Sequence, residues 1–141
     1  MMSFSVMVDN ALKILLVDDS EFILQRVQHI LSSMDQVKEV RTATSAEEAD
    51  QWIELYNPTL VFLDINLPGK NGLQMVKDIR SNASIDPTVV ILTNNTLSGY
   101  RNECMQAGAD YFLDKAKDFA SIPDIIIKTA EKIASGGSRF N

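Results

Sequence analysis

Four compact apolar runs, Ile14 to Val17, Leu60 to Leu63, Val89 to Leu92 and Tyr111 to Leu113, each stop on a polar or charged residue. The first three are rich in branched aliphatic side chains. Unbroken runs of this length suit strands buried on both faces, as in a parallel sheet; half-exposed strands would alternate. A fifth, more polar stretch, Val37 to Ala43, reads as an edge strand.

Segments with helical spacing separate these runs. After Ser20, a candidate N-cap, Phe22, Ile23, Val27, Ile30 and Leu31 recur at intervals of three and four, which draws one apolar stripe on a helix. Ser45 and Glu48 form an S-x-x-E capping box ahead of Ala49, Trp52, Ile53 and Tyr56. Leu73, Val76 and Ile79 mark a third helix after Gly72, and Leu97 to Ala107 a fourth whose inner face is expected to be Tyr100, Cys104 and Ala107. Ser121, Pro123 and Asp124 open a fifth, because proline is tolerated in a first helical turn and an acid there suits the helix dipole. If Ile122, Ile126 and Ile133 face the sheet, Ile127 turns toward the flank. Strand and helix therefore alternate, which implies right-handed crossovers and an α/β fold with helices on both faces of a parallel sheet.

Composition removes several function classes. One cysteine, Cys104, excludes an intramolecular disulfide and a multi-cysteine zinc site, and one histidine, His29, argues against a histidine-based metal centre or a Ser-His-Asp triad. His29 is expected to serve a surface or packing role, and Cys104 and Trp52 to lie in the core. Nineteen acidic residues against thirteen basic ones give a formal charge of -6, against direct nucleic-acid binding. No apolar run approaches the roughly twenty residues a bilayer requires, and the opening MMSFSVMVDNALK lacks the basic start of a signal peptide, so a cytoplasmic protein with no membrane insertion is expected. With 141 residues there is chain for about one domain.

In an open parallel sheet, ligands bind beyond the carboxyl ends of the strands. The first strand ends in Asp18-Asp19, the third in Asp64, the fourth in Thr93 and the fifth in Asp114-Lys115. Three carboxylates brought together repel one another unless a cation sits among them, and few oxygen ligands with room for water suit Mg2+ better than a calcium cage. A metal beside a lysine and a hydroxyl is a phosphoryl-binding arrangement, and a carboxylate at its centre can act as nucleophile.

The segments KILLVDDS, LVFLDINLPGKNG, VVILTNN and AGADYFLDKA, in this order and spacing, resemble the receiver domain of two-component response regulators over residues 13 to about 134. The resemblance implies a flavodoxin-like (βα)5 fold with a doubly wound five-stranded sheet in the order 2-1-3-4-5. Residues 1–12 then form an N-terminal extension, 13–134 the receiver domain and 135–141 a flexible tail. It further implies that Asp64 takes a phosphoryl group from a phosphohistidine on a sensor histidine kinase or a histidine phosphotransfer protein. Mg2+ would be held by Asp19 directly, Asp18 mainly through water, Asp64, and the backbone carbonyl of Asn66. Lys115 would pair with the phosphoryl group, Thr93 would move to hydrogen-bond it, and Phe112 would turn inward into the space Thr93 leaves. Pro68, Gly69 and Gly72 match the loop after the acceptor. A module of this kind is a switch that takes part in its own phosphorylation and dephosphorylation, not a classical enzyme. It is expected to stand alone and to signal to a downstream protein, as a monomer or a weak dimer, with Tyr100 and Ile127 on the partner surface of helices 4 and 5.

Two positions depart from the family pattern. Asn94 stands where a small residue usually follows the threonine, and Ala116 where a proline usually follows the lysine across a cis bond. Altered switching kinetics with phosphoacceptance retained is the expectation. Two other readings use the same residues. A magnesium-dependent aspartyl-phosphate phosphatase generally needs a second Asp two residues after the nucleophile, where this chain has Asn66, and a cap over its substrate. A non-phosphorylated interaction module would not need the full set of acidic, hydroxyl and lysine positions present here.

Overall fold

The computed structural model describes residues 12–94 and 98–136. Along the chain these form β1 (Leu12–Val17), α1 (Glu21–Ser32), β2 (Val37–Ala43), α2 (Ala46–Tyr56), β3 (Leu60–Leu63), α3 (Gly72–Ser81), β4 (Thr88–Thr93), α4 (Ser98–Ala107), β5 (Tyr111–Asp114), a 3-10 turn (Phe119–Ser121) and α5 (Ile122–Ala134). The strands pair in parallel in the order β2-β1-β3-β4-β5. Leu12, assigned from sequence to an extension, is the first residue of β1 and pairs with Val37. The rest of that extension, most of the 135–141 tail, and Leu97 lie outside the described residues.

Successive strand residues point to opposite faces, so each apolar run feeds two cores. Leu15, Val17, Val61, Leu63, Val89 and Ile91 pack under α2, α3 and α4 against Ile53, Met75, Val76, Ile79 and Cys104. Ile14, Leu16, Leu60, Phe62, Val90 and Leu92 pack under α1 and α5 against Leu24, Val27, Leu31, Ile122 and Ile126. This two-sided burial is why the runs show no polar alternation.

Local chemistry sets the helix starts. The Ser20 hydroxyl accepts from the Ile23 N–H at 3.3 Å and the Ser45 hydroxyl from the Glu48 N–H at 3.2 Å. The capping box is offset by one residue, because the Glu48 carboxylate accepts from the Thr44 N–H at 2.8 Å rather than from Ser45. α3 has a cap that the apolar spacing does not reveal, the Asn71 side chain, which accepts from the Gln74 N–H at 2.9 Å. At the opposite end of the sheet Arg80 fastens α3 to the turn before β5. It donates to the Gly108 carbonyl at 2.9 Å and to Asp110 at 3.0 Å, while Asp110 also accepts from the Val89 N–H. Gly108 takes a φ of 118°, open to glycine at little cost.

Three inward assignments from the sequence are corrected. Phe22 is 70% exposed, and Leu24 faces the core in its place; two residues at about 100° each put them on opposite sides of α1. Tyr100 is exposed because α4 meets the core only through Cys104 and Ala107, small side chains late in a polar helix. Ile133 is 40% exposed, and Ile125 joins Ile122 and Ile126 against the sheet. Ile133 lies in the last turn of α5, whereas the buried residues of that helix, Ile122, Ile125, Ile126, Thr129 and Ala130, all come earlier. Trp52 is half-buried, Cys104 buried and His29 exposed. No helix among the described residues is long and apolar enough to cross a membrane.

These placements separate two substitutions that the sequence alone would equate. Ile126→Ala is expected to lower unfolding free energy by about 2–5 kcal/mol, the usual cost of emptying a core site. Phe22→Ala should stay within about 0.5 kcal/mol of the parent, as surface changes do. Urea titration of both variants measures the difference; equal losses would put Phe22 in the core.

Candidate functional site

The ladder of the parallel sheet continues one residue past three of its strands. The Asp18 N–H donates to the Ala43 carbonyl at 3.0 Å, the Asp64 N–H to the Val17 carbonyl at 3.1 Å, and the Lys115 N–H to the Thr93 carbonyl at 3.0 Å. Backbone pairing alone therefore brings two carboxylates and an ammonium to one edge of the sheet. The apolar strands behind them keep Asp18, Asp64 and Lys115 below one-tenth exposure.

Lys115 Nζ lies 2.6 Å from Asp18 Oδ2 and 2.8 Å from Asp64 Oδ2. The remaining oxygens face backbone donors, Asp18 Oδ1 the Ser20 N–H at 2.9 Å and Asp64 Oδ1 the Asn66 N–H at 3.2 Å. Asp19 is exposed at the rim, and one carboxylate oxygen from each of Asp18, Asp19 and Asp64 lies within 4.8 Å of the others. Burial pushes the Asp18 carboxyl up from its ordinary value, with the Lys115 and Ser20 hydrogen bonds opposing that rise. For Lys115 burial works against the charge, but the bonds to Asp18 and Asp64 outweigh it and hold the ammonium above its ordinary value. Lys115 is thus a fixed cation.

Three carboxylates and one ammonium leave the pocket a formal charge of -2. Every ligand atom of the cluster is an oxygen, the donor type hard divalent cations take, and the exposed Asp19 leaves one side open to water. The residues present fit a magnesium-type cation.

The loop from β3 to α3 is shaped by features the apolar pattern does not carry. The Gly72 N–H donates to the Ile65 carbonyl at 2.7 Å, which folds the start of α3 back onto the residues after Asp64. A Cβ at Gly72 would overlap the Asp64 carbonyl oxygen and lie 2.6 Å from Ile65 Cα. Lys70 bridges Asp50 of α2 at 3.1 Å and Asp78 of α3 at 2.7 Å, so the same loop is held on its outer side. Nothing in the spacing of Lys70 signals that role, which depends on α2 and α3 lying side by side.

Of the other sequence-predicted residues, Thr93 is fully buried at the end of β4 and Asn94 is exposed beside it. Phe112 already lies inward, 8% exposed, with the Arg101 guanidinium 5.8 Å from its ring centre and donating to its carbonyl at 3.4 Å. Asn66 is exposed and meets Asp64 through its N–H. Tyr100 on α4 and Ile127 on α5 are each 37% exposed, and neither is part of the acidic cluster. Among the described residues there is no cis peptide, so the Lys115-Ala116 bond is trans. Because the atoms a Gly72 side chain would meet are backbone, Gly72→Ala should cost about 1–3 kcal/mol of stability, read as a lower urea midpoint; an unchanged midpoint would show that the loop yields freely.

The family model described as response regulator receiver domain matches residues 14–127. The transcriptional regulatory protein DegU of Brevibacillus brevis is 27% identical over 130 residues, 92% of this chain and 53% of its own length. A protein-glutamate methylesterase/protein-glutamine glutaminase of Idiomarina loihiensis is 31% identical over 123 residues, 84% of this chain and 31% of its own. The chain thus spans about half the length, or less, of these curated relatives. Among solved structures, the Francisella response regulator 1452 receiver domain superposes with a TM-score of 0.77 at 20% identity, covering 86% of this chain and 98% of that one. The phosphorylated cyanobacterial phytochrome response regulator RcpA gives 0.75 at 22% identity, covering 90% and 96%. Sheet order, helix placement and the extent of the family match agree, and this chain belongs to the response regulator receiver domain family.

Proposed function

We propose that Asp64 is the phosphoacceptor of a Mg2+-dependent switch, charged by a phosphohistidine on a sensor histidine kinase or a histidine phosphotransfer protein. The observation that carries this reading is the Lys115 ammonium held between Asp18 and Asp64 at 2.6 and 2.8 Å, with Asp19 open to solvent at the rim. In the transfer, an Asp64 carboxylate oxygen attacks phosphorus, the P–N bond to the donor imidazole breaks, and the leaving imidazole takes a proton from solvent. Asp18, Asp19, Asp64 and the Asn66 carbonyl would hold the magnesium ion, which when bound neutralises charge on the phosphoryl oxygens.

The chain's own residues supply the rest. Lys115 is already charged and buried, so it meets the incoming phosphoryl oxygens without reorganising solvent. The Thr93 side chain, buried one residue before Asn94, is the hydroxyl closest in sequence to the site on β4 and the partner proposed for the phosphoryl group. A hydroxyl that bonds the phosphoryl group when Asp64 carries one favours one of two states, which is what a switch requires. Phe112, inward here and in contact with Arg101 of α4, is the element through which that preference reaches the α4 and α5 surface bearing Tyr100 and Ile127. A downstream protein reads the change there.

Incubation with acetyl phosphate and magnesium, followed by intact-mass measurement, tests the assignment. A gain of one phosphoryl group that disappears in Asp64→Asn is expected, and Asp19→Asn should raise the magnesium concentration needed for half-maximal labelling. No adduct under saturating donor would overturn the reading.

A further inference from the structure

Ala116 occupies the place where the family pattern leads one to expect proline, and its N–H is not idle. It donates to Asp114 Oδ1 at 2.7 Å. A proline at 116 has no N–H, so that bond and a proline exclude each other. An aspartate side chain bonded to the N–H two residues ahead closes an Asx-turn, a ring that encloses the backbone of the residue between them. Here the enclosed residue is Lys115.

We infer that Asp114 is a positioning residue for Lys115, its carboxylate turn fixing the backbone from which the lysine reaches Asp64. Both peptide groups flanking Lys115 are tied down, its own N–H to the Thr93 carbonyl at 3.0 Å and the next N–H to Asp114. Asp114 is itself immobilised. Its N–H donates to Asp118 Oδ2 at 2.8 Å, and its carbonyl accepts from the Asp118 N–H at 2.9 Å and the Lys117 N–H at 3.3 Å. Downstream, Phe119 is buried in the core layer of α1 and α5 and carries the Arg26 guanidinium of α1 4.0 Å over its ring. The loop is thus anchored at β4, within itself and against α1. With the direction of its Cα–Cβ bond set, Lys115 needs only its side-chain torsions to place Nζ between two carboxylates. Restricting those few degrees of freedom preorganises the ammonium for a group arriving on Asp64.

The inference rests on the proposed phosphoacceptor role of Asp64, and the test separates the two. Phosphorylation by acetyl phosphate with magnesium is timed for the full chain, Asp114→Ala, Asp114→Asn, Lys115→Ala and the Asp114→Ala/Lys115→Ala double variant, alongside amide hydrogen exchange at Ala116. Asp114→Ala is expected to slow phosphorylation about tenfold and to speed exchange at the Ala116 N–H, because a small misplacement of a transition-state contact is costly. Asp114→Asn keeps an oxygen acceptor for that N–H and should remain within about twofold of the parent. In the Lys115→Ala background, Asp114→Ala should produce no further slowing, a result general destabilisation would not give. Equal slowing in both backgrounds, Asn as slow as Ala, or an unaffected Asp114→Ala each overturns the inference. If the parent chain takes no phosphoryl group, the phosphoacceptor reading falls, and unchanged exchange at Ala116 in Asp114→Ala overturns the turn as well.

Discussion

Two carboxylates side by side at the edge of a low-polarity sheet repel each other, and in this chain Lys115 answers that repulsion directly. Its ammonium touches Asp18 and Asp64 at once, and both acids and the lysine are more than nine-tenths buried. Partial pairing at such depth would leave a charge stranded, which is far more costly than a complete set. Much of the surrounding architecture serves to complete it: the Ser20 and Asn66 N–H groups take the second oxygens, and the extended ladder fixes the three side chains at one depth.

The loops around this centre are held by short-range devices rather than by large apolar contacts. Gly72 lets α3 start against the backbone of Asp64 and Ile65, Lys70 pins the same loop to α2 and α3, and the Asp114 turn braces the loop that carries Lys115. Rigid strands with loops fixed by individual polar bonds form an arrangement of discrete alternatives rather than of continuous deformation. α4 is only lightly anchored, since Cys104 is its one buried side chain among those described and its Arg101 contacts Phe112.

The strands are legible because burial on both faces forces unbroken apolar runs, and the gathering at one sheet edge of the residues directly after those runs is legible for the same reason. Helix faces were less so. Phe22, Tyr100 and Ile133 are apolar residues at helical spacing, yet each is exposed, because which apolar side chain meets the core depends on the helix's rotation about its axis and on how closely it approaches the sheet. Asn71 as a cap and Lys70 as a clamp leave no mark in the apolar pattern, because polar residues in a loop carry no periodic signal. Ala116 was visible as a departure from proline, but its consequence was not, because it lies in a bond from the side chain two residues earlier.

By itself the sequence determined the strand set, its parallel character and the convergence of Asp18, Asp19, Asp64, Thr93 and Lys115 on one edge, since hydrophobic patterning and chain order govern those. Only the tertiary structure decided that one ammonium serves both buried acids, that Phe112 points inward, and that an Asx-turn takes the place of a proline beside Lys115. The reason is range. Burial patterns are written along the chain, whereas hydrogen-bond and ion-pair partners are chosen among groups as far apart in sequence as Asp18 and Lys115, after the sheet has set their distances.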